Sequence, residues 1–491
     1  MSYYAQFYVD DSNYYKIQLS DIKYKLDGTT LLITRYDNTK ETVVQIPPTY
    51  NYGGVEYTTL GILGVDESDD SVTGFRNSNV ELVDIPEGIS QIGARSFEAS
   101  PTLSSVRIGK DVNQFGERAF ANCTALDEVY YDAENALNTS NSQTFDGCGK
   151  TNHGIKVIVG PNAQIIPTYL FHQSSNSVND AAVDCLDLSN ASSCTRINTS
   201  AFNNTNIRQI IFGDALKEIG QAAFSTNYLI KELTLPEGVV TLSTAAFESW
   251  RNLTKIVIPS SLNTLTGAFR HCPNLTEFDV HPNSKFEVRS GNLVDKQTNT
   301  IIIGVAQPSE DDDIVSIAPY AYAGRESLTT IELPDNITLL ETETFAGCSN
   351  LRTVDLNEGL ETIGNSAFVN CKSLESIAPP STLTTINNNA FNTSGLTSIT
   401  IPANVRVVGH TAFLQCKQLE SVVIESSTPN LLVANLTSGL DCEPFRLCTN
   451  LSTITVGWSK SEDINKYAPW GATCTNGVKV TYSDGEETYN V

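Results

Sequence analysis

Short runs that alternate apolar with polar positions recur along the chain: "LTTIEL", "LRTVDL", "LTKIVI", "LESVVI" and "LSTITV". Alternation of this kind predicts strands with one buried face. Each run opens on a leucine six residues after an aromatic, which usually follows an alanine. Aligned on that aromatic, the frame passes through Phe75, Phe97, Phe120, Phe145, Phe171, Phe202, Phe224, Phe247 and Phe269. After an interruption it resumes at Tyr322, Phe345, Phe368, Phe391, Phe413 and Phe445. Most of these 15 units are 22 or 23 residues apart; steps of 25, 26, 31 and 32 mark loop insertions, and one step spans 53. Where the loop before the strand is one residue shorter, at Ile207 and Leu396, the next aromatic arrives after 22 residues. Register is kept by trimming loops, not by moving the core.

Two further slots follow the frame. Four residues before the aromatic stand Gly93, Gly116, Gly220, Gly364 and Gly409, or Asn141, Asn198, Asn387 and Asp441. These residue types tolerate positive φ, so a tight turn is expected there. Prolines 86, 236, 259, 334 and 402 directly follow the strand, where a lost N–H does least harm. Three residues after the aromatic stand Cys123, Cys148, Cys272, Cys348, Cys371, Cys416 and Cys448. In the other eight units the slot holds Ser78, Ser100, Ser174, Ser394, Thr205, Asn227, Trp250 and Arg325. Thirteen of the fifteen are small side chains that can hydrogen-bond. Stacked coils leave backbone carbonyls facing the interior, and buried polar groups need partners. A small donor at one fixed place per coil supplies them, so these cysteines are expected to be structural.

The unit I-G-x-x-A-F-x-x-C-x-x-L-x-x-I-x-I-P resembles the BspA-like subfamily of leucine-rich repeats over about residues 72 to 456. The resemblance implies a β-rich repeat solenoid: a right-handed superhelix with a parallel sheet on its concave side. Residues 1–60 lack the repeat but carry the strand-like runs "KIQLSDIKYKL", "TTLLITRY" and "ETVVQIP", with "LDGT" as a turn. They resemble the family's β-rich N-terminal cap. The array is expected over 61–456, with a β-hairpin insertion at 281–315 read from "FEVRSGNLVD" and "NTIIIGVA". Residues 457–491, holding Trp458 and Trp470, are expected to close the other end as a short cap.

Composition narrows the function more than the fold. The chain of 491 residues carries 31 basic against 56 acidic side chains, net −25. Such a surface repels nucleic-acid backbones and anionic lipid. No apolar run of about 20 residues is present, so no membrane insertion as a helix is expected. The opening stretch shows no basic start followed by an apolar core, so no secretion signal is visible in it; a processed form and another export route both stay open.

Candidate chemistry dissolves into the repeat. "GCGKTNHG" at 147–154 lacks the glycine a phosphate-binding loop needs at Thr144, and Phe145 and Cys148 already fill frame positions. The histidines, at 153, 172, 271, 281 and 410, fall in different coils without metal-ligand spacing. The acidic "SEDDDI" matches no calcium loop and reads as a solvated turn. Cys185, Cys194, Cys442 and Cys474 lie outside the ladder; Cys185 and Cys194 are expected either to pair or to be free thiols. Triplets such as those at Asn252, Asn274 and Asn435 arise from the frame itself and are poor evidence of glycosylation.

No enzyme and no cofactor or metal are therefore expected. The fold offers one large surface instead, formed by the outward strand positions Asp84, Arg107, Tyr130, Ile211, Thr234, Val257, Asp279, Glu332, Asp355, Thr400, Val423 and Thr455. Partner binding is expected to centre on Arg107, Tyr130, Ile211, Thr234, Val257, Asp279, Glu332 and Asp355. The resemblance implies a surface or secreted adhesin; a monomer that holds a protein or glycan ligand on its concave face is expected. The alternative is a structural or spacer module of an extracellular or virion assembly, joined through its caps or insertion. A hydrolase with paired carboxylates is disfavoured because the acids are scattered over repeat surfaces.

Overall fold

The computed structural model describes residues 14–65, 72–138, 143–150, 153–174, 182–427, 443–461, 468, 470–474 and 476–490. Asn141, Asn435, Asp441 and Cys442 lie outside them. The chain divides into two compact units, Met1–Asn252 with Ser261–Thr264, and Leu253–Ser260 with Leu265–Val491. Both are built of stacked coils with mostly parallel strands. Among the described residues, helix is confined to the two three-residue turns Leu19–Asp21 and Glu310–Asp312.

In the first unit a parallel sheet runs through Tyr15–Lys16, Val43–Gln45, Leu82–Ile85, Ser105–Ile108, Glu128–Tyr131, Ile155–Val159, Val183–Asp187 and Gln209–Ile211. A second side of each coil is a two-residue strand, as in Gln91–Ile92 beside Gln114–Phe115. The N-terminal segment joins both sides. Its antiparallel hairpin Ile22–Asp27/Thr30–Tyr36 turns at Gly28, as the "LDGT" turn predicts, and Thr30–Tyr36 then pairs in parallel with Val55–Ile62.

The third side is an arch around the aromatic. Here N–H groups two residues before, at and two residues after the ring all donate to the following coil. Arg95, Phe97 and Ala99 donate to the carbonyls of Glu117, Ala119 and Ala121 at 2.9, 2.7 and 2.8 Å. Turning every second N–H to the same side requires left-handed backbone at the flanking residues, and φ is 57° at both Arg95 and Ala99. The expected location of the positive φ, four residues before the aromatic, is therefore corrected by two residues. Gly93, Gly116, Gly220, Gly364 and Gly409 are needed for another reason: neighbouring backbone lies against them. An added Cβ at Gly116 would collide with the Ala94 amide nitrogen, and one at Gly364 with the Leu340 carbonyl.

The aromatics form stacks inside each unit. Ring centroids are 4.7 Å apart at Tyr36–Phe75 and 4.8 Å at Phe75–Phe97, and the stack continues to Phe247. One ring per coil sets this spacing, since neighbouring strands lie about 4.8 Å apart. The stack thus starts at Tyr36, one coil before the frame read from the sequence. In the second unit it runs from Tyr322 to Phe445 with spacings of 5.1 to 5.5 Å.

The expected ladder is present. At Ser100, Cys123, Cys148, Cys348, Cys371, Cys416 and Cys448 the side chain three residues after the ring donates to the carbonyl of the preceding coil's aromatic. Thr205 instead bonds Phe202 O of its own coil, Asn227 bonds Ile207 O and Cys272 bonds Arg270 O. Cys123 Sγ reaches Phe97 at 3.1 Å, Cys148 reaches Phe120 at 3.0 Å, and Cys371 reaches Phe345 at 3.2 Å. The two bulky exceptions do related work: Trp250 Nε1 donates to the Phe224 carbonyl at 2.6 Å. Arg325 donates through Nε to Gly304 O at 2.9 Å and through a terminal nitrogen to Cys272 O. It follows the long insertion, so it bonds one carbonyl of the insertion and one of the coil before it. In the coil of Phe171, Ser174 is held instead by Asp146, and Gln173 Nε2 bonds Phe145 O at 3.0 Å.

The predicted hairpin appears as Phe286–Arg289/Asn292–Asp295, closed by Ser290 and Gly291, both with positive φ as a two-residue hairpin turn requires. Thr300–Ile303 adds a third antiparallel strand and pairs onward, in parallel, with Ser316–Ile317. Beyond it the Gln307 side-chain amide exchanges two 2.8 Å hydrogen bonds with the backbone of Glu332, as a neighbouring strand would. At the C-terminal end Val478–Tyr482 extends the sheet of Thr453–Val456, Gly485–Tyr489 folds back antiparallel, and Trp458 packs edge-on to Trp470 at 6.1 Å.

Candidate binding face

Outward positions of the long strands align across coils because parallel pairing keeps one register. In the first unit Gln45, Asp84, Arg107, Tyr130, Ile158, Asp187 and Ile211 form one continuous row. The row alternates with buried residues such as Val106 and Val129, whose burial fixes which side chains face out. Arg107 lies over Tyr130, its guanidinium carbon 5.7 Å from the ring centroid, within reach of a cation–π contact. The Tyr130 hydroxyl and the Asp132 carboxylate occupy space left open by Gly160.

Asp84 corrects the expectation that it is exposed: it is fully buried. Gln45, from the N-terminal segment, covers it and donates to its carboxylate at 2.5 Å, while Arg107 approaches to 3.9 Å on the other side. Asp84 therefore anchors Arg107 instead of meeting a ligand.

A second row on the same side of the sheet begins at the buried Ser105 and continues through Glu128, Lys156, Cys185 and Gln209. Burial pushes the Glu128 carboxyl up to about 7, and Lys156 at 3.9 Å offsets only part of that cost. Cys185 is half-buried, and burial pushes its thiol up to about 11. Cys185 and Cys194 are both free thiols, which settles the two alternatives.

The structure brings together Arg107 and Tyr130, and sets Ile211, 37% exposed, three strands further along the same row. Thr234 is exposed on Glu232–Thr234 in the same unit. In the second unit Val257 pairs with Asp279 and Glu332 with Asp355, all outward except the half-buried Val257. Thr400, Val423 and Thr455 form another aligned row. Ile158, Asp187, Glu128 and Lys156 were not singled out from sequence. The alternation in "IKVIV" and "VDCLD" carries the signal for the first two, but the lengthened units there obscure the frame.

Among the described residues no group of three or more His, Cys, Asp or Glu side chains gathers in metal-binding geometry, and no helix is long and apolar enough to cross a membrane. No curated protein matches the chain. Among solved structures, the pneumococcal vaccine antigen PcpA matches at 17% identity and a TM-score of 0.46, over 95% of this chain and 98% of that one. A leucine-rich cell surface protein from Faecalibacterium prausnitzii matches at 19% identity and 0.44, over 91% and 95%. A leucine-rich repeat protein from Bacteroides ovatus matches at 16% and 0.39, over 95% and 100%. The family model for the BspA type leucine-rich repeat region matches in six copies, over residues 72–178, 183–290 and 315–435. This chain belongs to the BspA-type leucine-rich repeat family.

Proposed function

We propose that the chain is a non-enzymatic binding protein, displayed at the cell surface or secreted, that holds a protein or glycan partner on its strand face. That face is the concave side in the solenoid the family resemblance implies. The observation that carries the reading is the row through Arg107 and Tyr130. Binding energy concentrates in a few arginine and aromatic anchors, and here one of each lies side by side in an aligned, outward-facing row. Ile158 and Ile211 extend the row with apolar area. Adhesion to host proteins, glycans or other cells is the activity this face would serve.

The test begins with a pull-down against matrix proteins and immobilised glycans. With a partner in hand, the double substitution Arg107→Lys/Tyr130→Ala, which keeps a cation beside the buried Asp84, should weaken binding about tenfold and leave the melting temperature nearly unchanged. Normal binding by that variant, with loss of binding on substitutions in the 281–315 insertion or in the terminal segments, would instead favour a structural module that assembles through those parts.

A further inference from the structure

The parallel sheet of the second unit is interrupted where the chain makes its 53-residue step from Phe269 to Tyr322. On the arch side the two coils are direct neighbours: His271 N–H donates to the Ala323 carbonyl at 2.9 Å, and Arg325 bonds Cys272 O. The same step sets Glu277–Val280 next to Thr330–Glu332 on the strand side, yet these two strands do not pair. Among the described residues Glu277–Val280 pairs with Lys255–Ile258 alone, and Thr330–Glu332 with Thr353–Asp355 alone.

Each strand therefore turns an open edge to the break. Backbone groups of alternate residues in a strand point to opposite sides. The N–H groups of Glu277 and His281 bond Thr254 O and Ile258 O, so those of Phe278 and Val280 face the break. On the other edge Leu333 N–H bonds Asp355 O and Thr329 O accepts from Arg352, so Thr330 and Glu332 face it. Glu332 is served by the Gln307 side-chain amide, which stands where one peptide group of a strand would lie. Burial follows the same line. Ile256 and Ile258 are fully buried, whereas Phe278 and Val280, at the same inward positions one strand on, are only half-buried. On the outward side the exposed carboxylates of Asp279 and Glu332 flank the break, and Asp355 continues their row. Asp279 keeps 63% of its side-chain surface in solvent, although Lys255 approaches it from the strand behind to 3.7 Å.

We propose that the break is a docking site for an extended segment of a partner protein, which adds one strand between Glu277–Val280 and Thr330–Glu332. Its backbone pairs with Phe278 and Val280 on one side and with Thr330 on the other, the mode of strand addition at an open edge. Its inward side chains are apolar and cover Phe278 and Val280. Its outward side chains are basic, because they lie between Asp279 and Glu332, and opposite charges on neighbouring strands attract. Gln307 holds the place beforehand and gives up Glu332 when the segment enters. No residue of the Arg107–Tyr130 row takes part.

Fluorescence anisotropy of the full chain with a short labelled peptide of alternating lysine and valine tests it. Two control peptides replace lysine by glutamate or carry N-methyl groups on the valine nitrogens. Saturable binding of the first peptide is expected, with about tenfold weaker binding of each control, since one loses the charge match and the other its N–H donors. Thr330→Pro should fold normally, because that N–H faces the break, and should bind about fivefold more weakly, the scale of one lost hydrogen bond. Gln307→Ala should bind the peptide more tightly. Arg107→Lys/Tyr130→Ala should bind it as the unchanged chain does, which separates this site from the strand row of the first unit. Absence of saturable binding, equal binding of the N-methylated peptide, unchanged affinity in both Thr330→Pro and Gln307→Ala, or weaker binding by Arg107→Lys/Tyr130→Ala overturns the proposal.

Discussion

Cys371 is surrounded by its own coil and the one before it. Its thiol donates to Phe345 O at 3.2 Å, and burial drives its pKa well above the ordinary range; the same cause pushes Cys348 up to about 12. Only the thiolate attacks disulfides and alkylating reagents, so a buried, hydrogen-bonded, neutral thiol is inert. Thiol counting with a chromogenic disulfide should therefore leave Cys123, Cys148, Cys348 and Cys371 unlabelled in the native chain and labelled after denaturation. Half-buried Cys185 should react first among the described cysteines. Native labelling of the ladder residues, or disulfides joining successive coils, would contradict their placement. This much was legible, because one slot shared by Cys, Ser, Thr and Asn can only have a hydrogen bond in common. The burial of Asp84 was not, since its cover, Gln45, comes from a segment outside the repeat frame.

At the scale of the element, the long strand reads directly from alternation, and the hairpin of the insertion from "RSGN" between two alternating runs. The arch does not. Its backbone is set by hydrogen bonds to a neighbouring coil and not by local residue preference, so arginine, alanine and serine all adopt left-handed φ there. Register also determines chemistry: it sets Glu128 opposite Lys156 on a half-buried part of the sheet. A carboxyl whose folded-state pKa is raised to about 7 binds its proton more tightly folded than unfolded. By linkage its contribution to stability declines as pH rises from the ordinary carboxylate range to about 7. Glu128→Gln should accordingly match the unchanged chain at pH 5 and melt higher at pH 8. Thermal melts of both across that range decide it; parallel curves would show that Glu128 ionises freely.

Across the whole molecule, each coil touches mainly its neighbours, so damage should stay local. The Phe368 ring lies 5.4 Å from Phe345 and 5.3 Å from Phe391, fully buried. Truncation to alanine removes both contacts and leaves a cavity, at a cost of about 3–5 kcal/mol. Hydrogen exchange should then accelerate between Tyr322 and Phe413 in Phe368→Ala while amides around Phe97 and Phe120 keep their protection. Uniform acceleration through both units would mean that the array unfolds as one cooperative body.

The two sets of bonds between coils run in opposite directions. Ladder side chains reach back to the coil already passed, as Cys123 does to Phe97, while arch amides reach ahead, as Phe97 does to Ala119. During synthesis, then, no coil can be finished when its own last residue leaves the ribosome. Its amides wait for the next 22 or so residues to emerge, and the growing end always exposes one open coil. Folding of the nascent chain should trail its synthesis by a single repeat, advancing in steps of one ring.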